Sequence, residues 1–304
     1  MENKILRGLN FNNLLGNKPN LKPLNFNNSN QNNNNISINT KDVISSNFTK
    51  KPVLLNPLQL FSTTQTPLTN QNNLSIIEKG VSIENINAIK RYEGKTWLGK
   101  LSSNSNRDVA IIIPKGVDYS KPFEIMYYFH GHNGKLNNIL SEPNNGLEKN
   151  IKDMPKNKNV IIVIPQGPPK SQDFTWMNGK YGEDMTKFQD DTINIVKNKL
   201  GVNAYISSIS VQGHSAGGRP IMNAANDGKL RADKINLFDS SYGTWATQAY
   251  NNYKKVNPNA KFNVIYIPNS PTQADALRLK GQQGVTLYQS RVGHSSVPKT
   301  FFGI

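Results

Sequence analysis

The feature that most constrains how this chain folds is a succession of short apolar, β-rich runs separated by segments with a helical period. The runs are Lys95–Leu101, Val109–Pro114, Ile125–Phe129, Val160–Ile164, Ile206–Val211, Ile235–Phe238, Phe262–Ile267 and Val285–Tyr288. Several, such as Val160-Ile161-Ile162-Val163-Ile164, are apolar without interruption, which is how strands covered on both faces read. Between them, Glu183–Leu200 places Met185, Phe188, Ile193 (or Thr192), Ile195, Val196 and Leu200 largely on one helical face, with Gly201 as a natural stop. Ala216–Leu230 and Thr272–Leu279 are further helix-compatible segments. Strand and helix in alternation predict an α/β fold built on a doubly wound, mostly parallel sheet of about eight strands.

The pattern does not extend to the beginning of the chain. Residues 1–75 hold 20 Asn, and their apolar residues occur as isolated pairs without a sustained period. Such a segment buries too little to offset chain ordering, which costs about 1–2 kcal/mol per residue, so it reads as disordered. Residues 76–94 read as a short lead-in with some helical character, and 95–304 as one catalytic-size domain. The formal charge of +16 divides into +5 on the Asn-rich segment and +11 on the remainder. Its basic residues are scattered among Asn rather than set in a recognised motif, so nucleic acid is disfavoured, while association with an anionic surface stays open. With no Cys in 304 residues there is no disulfide framework, thiolate zinc site or Cys nucleophile. No stretch has the apolar core of a secretory signal or the roughly 20 apolar residues of a membrane span, which makes a cytoplasmic protein the default expectation.

The segment Ile209-Ser210-Val211-Gln212-Gly213-His214-Ser215-Ala216-Gly217-Gly218 carries the strongest chemical signal. It is a G-x-S-x-G pentapeptide between an apolar strand and a helix-compatible stretch. That context holds a serine on a sharp strand-to-helix turn, with small residues on either side because the backbone there is strained. A hydroxyl so placed stands above the sheet edge, in the positive potential of a helix N-terminus. A second constellation is Met126-Tyr127-Tyr128-Phe129-His130-Gly131-His132-Asn133-Gly134, an apolar strand running into a His-Gly pair and a flexible loop.

With these two motifs the sequence resembles the α/β-hydrolase superfamily of serine hydrolases over about residues 95–300. The resemblance implies Ser215 as nucleophile. It also implies an oxyanion hole made by the backbone N–H of Ala216 and one from the Gly131–Asn133 loop, most naturally His132, with Gly131 beside it. It places the base histidine after the last strand, which is His294, in the chain order Ser, acid, His. Two acids are compatible with that order. Asp239 closes the sixth run, whereas Asp275 follows the seventh, the commoner position in the superfamily, but falls inside a helix. A strand-end carboxylate reaches a histidine more readily, so Asp239 is favoured over Asp275. His214, inside the pentapeptide, reads as a packing neighbour. Trp176, Tyr242 and Trp245 lie on segments that leave the same sheet edge and read as walls of a substrate pocket.

The Gly-His-Ser-Ala-Gly-Gly turn together with Ile164-Pro165-Gln166-Gly167-Pro168 looks most like esterase and polyester-depolymerase members. The implied function is cleavage of a carboxylic ester, small or polymeric, through an acyl-enzyme. An amidase or peptidase with the same triad, and a non-catalytic binding protein retaining the fold, remain as alternatives. Neither a cofactor nor a metal is called for: His130-x-His132 has no further ligand at suitable spacing, and no dinucleotide fingerprint or P-loop is present.

Overall fold

The computed structural model of the chain describes residues 73–142, 146–168 and 183–304. The expectations for residues 1–72 and for Trp176 lie outside the described residues. Among the described residues nine strands form one sheet: β1 (Leu74–Ile77), β2 (Gly94–Leu101), β3 (Arg107–Pro114), β4 (Phe123–Phe129), β5 (Val160–Pro165), β6 (Ile206–His214), β7 (Lys234–Phe238), β8 (Lys261–Tyr266) and β9 (Val285–Gln289). The described residues also form the α-helices α1 (Ile83–Ile89), α2 (Leu136–Ser141), α3 (Glu148–Asp153), α4 (Met185–Asn198), α5 (Gly218–Asn226), α6 (Trp245–Val256), α7 (Gln273–Arg278) and α8 (Val297–Phe301). The spatial order is β1-β2-β3-β5-β4-β6-β7-β8-β9. Only β3 runs against its neighbours, antiparallel to both β2 and β5; every other pair is parallel. This is the doubly wound, mostly parallel α/β sheet expected from the alternating runs.

All eight sequence runs are strands, and one strand is added. β1 pairs in parallel with β2, and the Ser75 hydroxyl lies 2.6 Å from that of Thr96. Its first two residues belong to the Asn-rich segment of the sequence reading. The strand is only four residues long and half-exposed, so it has no run of apolar residues to announce it. In the lead-in that follows, helix occupies α1 alone, capped by Ser82, whose side chain accepts from the Asn85 N–H at 3.3 Å.

The uninterrupted apolar strands have the two-sided burial their composition requires. Ile111, Ile113, Tyr127, Phe129, Ile161 and Val163 pack on one face with α4, α5 and α6. Ile112, Met126, Tyr128, Ile162 and Ile164, the residues in between, pack on the other with α1, α2, α3 and α8. Each buried branched side chain contributes about 1.5–3 kcal/mol relative to exposure, so neither face tolerates a polar strand residue cheaply. Helix α4 buries Met185, Phe188, Thr192, Ile195 and Val196, with Ile193 partly buried against the same core, and the Thr192 hydroxyl lies 2.8 Å from that of Tyr127. Asp184 caps this helix through the Lys187 N–H at 3.0 Å. Among the described residues no helix is long and apolar enough to cross a membrane.

The topology also selects where a ligand can enter. From β4 the chain crosses through α2 and α3 to β5 on one side; from β5 it returns through α4 to β6 on the other side of β4. Connections leaving β4 and β6 therefore diverge onto opposite faces at the carboxyl ends of these two strands. In open α/β sheets ligands bind at such a reversal of strand order.

Candidate active site

Ser215 stands directly at that reversal of strand order. β6 ends at His214, and the chain turns through Ser215–Gly217, a single 3-10 turn, into α5. Ser215 has φ 53°, a left-handed conformation that an L-residue adopts only under constraint. The constraint is visible in its glycine neighbours. A Cβ on Gly213 would lie 2.6 Å from the Gly217 carbonyl oxygen, and one on Gly217 would lie 2.1 Å from that of Phe129. Strand and helix thus approach too closely for any side chain, which is what the G-x-S-x-G spacing requires. The Ser240 hydroxyl donates to the Ser215 carbonyl at 2.6 Å and fixes the turn from β7.

The neighbouring strand ends bring in the other residues. Asp239 follows β7, itself at φ 45°, and its N–H donates to the Ile265 carbonyl at 2.8 Å. Its carboxylate is buried. Oδ2 lies 2.5 Å from His294 Nδ1, and Oδ1 accepts from the Thr272 hydroxyl and from the Ile267 N–H at 3.4 Å. Burial alone would push this carboxyl upward, but the hydrogen bonds from His294 and Thr272 outweigh it and hold the group below its ordinary value. His294 opens the turn that leads into α8, with its side chain 40% exposed, so one edge of its ring remains accessible.

Asp275, the other acid compatible with the sequence, is committed elsewhere. It is fully buried and accepts from the Ala246 N–H at 2.8 Å, the Thr247 N–H at 3.3 Å and the Thr247 hydroxyl at 2.5 Å. It therefore caps the N-terminus of α6, where N–H groups lack intrahelical partners.

Two further histidines gather around this centre. The His214 ring packs on that of His294 with centroids 4.6 Å apart, and its Nε2 bonds the His294 carbonyl at 3.0 Å. Burial pushes His214 down to about 3, so near neutral pH it is an uncharged donor to that carbonyl. His130 is 3% exposed and pushed down to about 4, again by burial. Its Nε2 accepts from the Gly167 N–H at 2.8 Å, which leaves the proton on Nδ1, donated to the Gly131 carbonyl at 2.9 Å. The bonds from His130 to Gly167 and from His214 to His294 join residues 37 and 80 positions apart, which no sequence pattern announces.

The loop after β4 completes the arrangement. Residues 131–134 form a turn closed by the Gly134 N–H on the Gly131 carbonyl at 3.1 Å, with Asn133 at φ 54°. Gly131 touches the serine: a Cβ added there would sit 2.9 Å from Ser215 Cβ. The N–H groups of Gly131 and His132 belong to this loop, and that of Ala216 to the first turn after the serine, where N–H groups have no helical acceptor. Tyr242 and Trp245 follow Asp239 and pack edge to face at 5.5 Å. Burial raises the Tyr242 phenol above its ordinary value. Thr272, which completes the Asp239 environment, carried no signal beyond starting a helix.

No family model and no curated protein matches the sequence. Among solved structures, the chain is similar to an S-formylglutathione hydrolase from Agrobacterium tumefaciens, at 13% identity and a TM-score of 0.44 over 66% of this chain and 87% of that one. It is similar to a mutant feruloyl esterase module from Clostridium thermocellum complexed with sinapinate, at 11% identity and a TM-score of 0.49 over 75% and 91% of the two chains. It is likewise similar to a fluorophosphonate-binding serine hydrolase of Staphylococcus aureus, at 11% identity and a TM-score of 0.47 over 67% and 93%.

Proposed function

We propose that the protein is a serine hydrolase that cleaves carboxylic esters through Ser215, His294 and Asp239. The observation that carries this reading is the buried Asp239 carboxylate 2.5 Å from His294 Nδ1, with the His294 ring packed on the residue that precedes a serine at φ 53°. Nothing in the packing of the sheet requires that combination, and the strain at Ser215 and Asp239 is of the kind that clusters at functional sites.

In this mechanism Asp239 accepts a hydrogen bond from the Nδ1–H of His294, whose proton stays on the ring, and so leaves Nε2 as the base. Nε2 takes the Ser215 proton as Oγ attacks the acyl carbonyl. The carbonyl oxygen becomes an oxyanion, received by the N–H groups of Ala216 and of the Gly131–His132 loop, each such donor being worth about 10²–10³ in rate. His294 returns the proton to the departing alcohol, which leaves an acyl-Ser215. Water, deprotonated by the same histidine, then releases the acid and restores the serine. Tyr242 and Trp245 form part of the wall over Ser215.

The test is labelling with a fluorophosphonate probe, wild type beside Ser215→Ala and His294→Ala, followed by a panel of esters of increasing chain length and matched anilides. Labelling that depends on both residues, with esters turned over faster than anilides, is expected. Absence of Ser215-dependent labelling and of any turnover sinks the reading, and faster turnover of anilides moves it to an amidase.

A further inference from the structure

One motif singled out in the sequence has no part in the mechanism above, the Pro165-Gln166-Gly167 segment that ends β5. Its glutamine has an unusual set of partners. The Gln166 Oε1 accepts from the Leu136 N–H at 2.8 Å, and Nε2 donates to the Gly134 carbonyl at 3.2 Å. One carboxamide therefore spans the exit of the loop that leaves β4, supplying acceptor and donor as a neighbouring strand would. The same Nε2 reaches the Gly167 carbonyl at 3.2 Å. Next to it, the Gly167 N–H holds His130 Nε2 at 2.8 Å.

Gln166 is itself fixed from behind. Its N–H donates to the Asp108 carbonyl at 2.8 Å, and its carbonyl accepts from Asn104 Nδ2 at 3.1 Å and Arg107 Nε at 3.2 Å. Arg107 is in turn paired with the buried Glu183 at 2.7 Å. Rigid β3 therefore holds Gln166, Gln166 holds Gly134 and Leu136, and His130 holds Gly131. The far end of this chain of bonds is the loop whose Gly131 stands against Ser215.

We propose that Gln166 is a positioning residue for the oxyanion loop, fixing its N–H groups over Ser215 through the Gly134 and Leu136 backbone. The proposal rests on Ser215 being the nucleophile. An oxyanion hole acts only when its donors meet the place where charge develops, about 2.7–3.1 Å from it. The loop, residues 131–134, carries no apolar side chain, so polar contacts hold its geometry, those of Gln166 and His130 among them.

The experiment compares full-length wild type with Gln166→Leu and Gln166→Glu. Gln166→Leu removes both loop contacts and is expected to lower kcat on p-nitrophenyl acetate roughly 10- to 100-fold, less than outright removal of a donor, with KM within about twofold. Affinity for an aryl trifluoromethyl ketone, whose serine adduct carries the oxyanion, should fall by the same factor. Gln166→Glu offers a pH readout that a merely structural role would not produce. A protonated carboxyl keeps one acceptor and one donor, so the ratio of its kcat to that of wild type should rise as pH falls toward the carboxyl range.

Amide hydrogen exchange reads the latch without turnover: the Leu136 N–H should exchange faster in Gln166→Leu while β7 and β8 are unchanged. Wild-type kcat in Gln166→Leu, a loss confined to KM, or unaltered Leu136 exchange overturns the proposal. A wild-type protein inert to every ester overturns the hydrolase reading instead, and Leu136 exchange then decides the latch separately.

Discussion

The two buried aspartates near the sheet edge should respond to the same substitution in opposite ways. Asp239 gives one oxygen to His294 Nδ1 at 2.5 Å and the other to the Thr272 hydroxyl. Asp239→Asn preserves the shape but removes the charge that supports an imidazolium. An amide nitrogen turned toward His294 also forces the ring into the tautomer whose Nε2 carries the proton and cannot act as base. Where a triad aspartate is changed in this way kcat falls about 10⁴-fold, or about 5.4 kcal/mol at 1.36 kcal/mol per tenfold. Asp275 instead accepts from the Ala246 N–H, the Thr247 N–H and the Thr247 hydroxyl at the head of α6. Asp275→Asn turns one of its acceptors into a donor facing donors. Leaving a buried N–H unsatisfied costs about 1–3 kcal/mol, which lowers the midpoint of a domain of this size by about 2–4 °C per kcal/mol. The assay is kcat on p-nitrophenyl acetate at 20 °C below each variant's melting midpoint, with the midpoint itself from a thermal scan. The expected pattern is crossed: turnover lost and midpoint nearly kept in Asp239→Asn, turnover within threefold and midpoint lowered in Asp275→Asn. Turnover abolished by Asp275→Asn alone would refute the assignment.

Two further outcomes follow from the loop after β4. Burial holds His130 at about 4 in the folded protein, against about 6.5 in an unfolded chain; between those values only the unfolded chain takes up the proton, so stability falls as pH falls, by about 2 kcal/mol from pH 7 to pH 5 on this group. Urea unfolding of wild type and His130→Asn at both pH values measures it, and identical pH dependences would contradict a neutral, buried His130. Gly131→Ala places a Cβ 2.9 Å from Ser215 Cβ and 3.1 Å from His214 Nδ1, so the loop must retreat and kcat should drop about 10²-fold; wild-type kcat in that variant would mean that the loop does not approach the serine.

The sequence was most legible where physics acts locally. Val160–Ile164, short, β-branched and apolar throughout, reads as a strand covered twice, and its alternate residues do go to opposite faces. Gly213 and Gly217 announced a backbone crossing because no other residue survives a 2.1–2.6 Å contact. What stayed hidden depends on partners distant in the chain. β1 is four half-exposed residues whose strand character comes from pairing with β2, about twenty positions later. The reach of Gln166 to Leu136 spans 30 residues, and that of Asp239 to Thr272 spans 33; a polar side chain carries no periodicity that would reveal either. Between Asp239 and Asp275 the sequence offers only a preference, from the place of Asp239 at the end of a strand-like run. The fold separates them by putting one at a strand end facing His294 and the other beneath the first turn of α6.

The most direct measurement of the central claim is the mass of the intact protein during turnover of a slowly deacylating p-nitrophenyl ester. The account predicts a covalent adduct equal to the acyl group, mapped by peptide digestion to Ser215 and absent in Ser215→Ala. An adduct on another residue, or ester turnover that persists in Ser215→Ala at the wild-type rate, would contradict it.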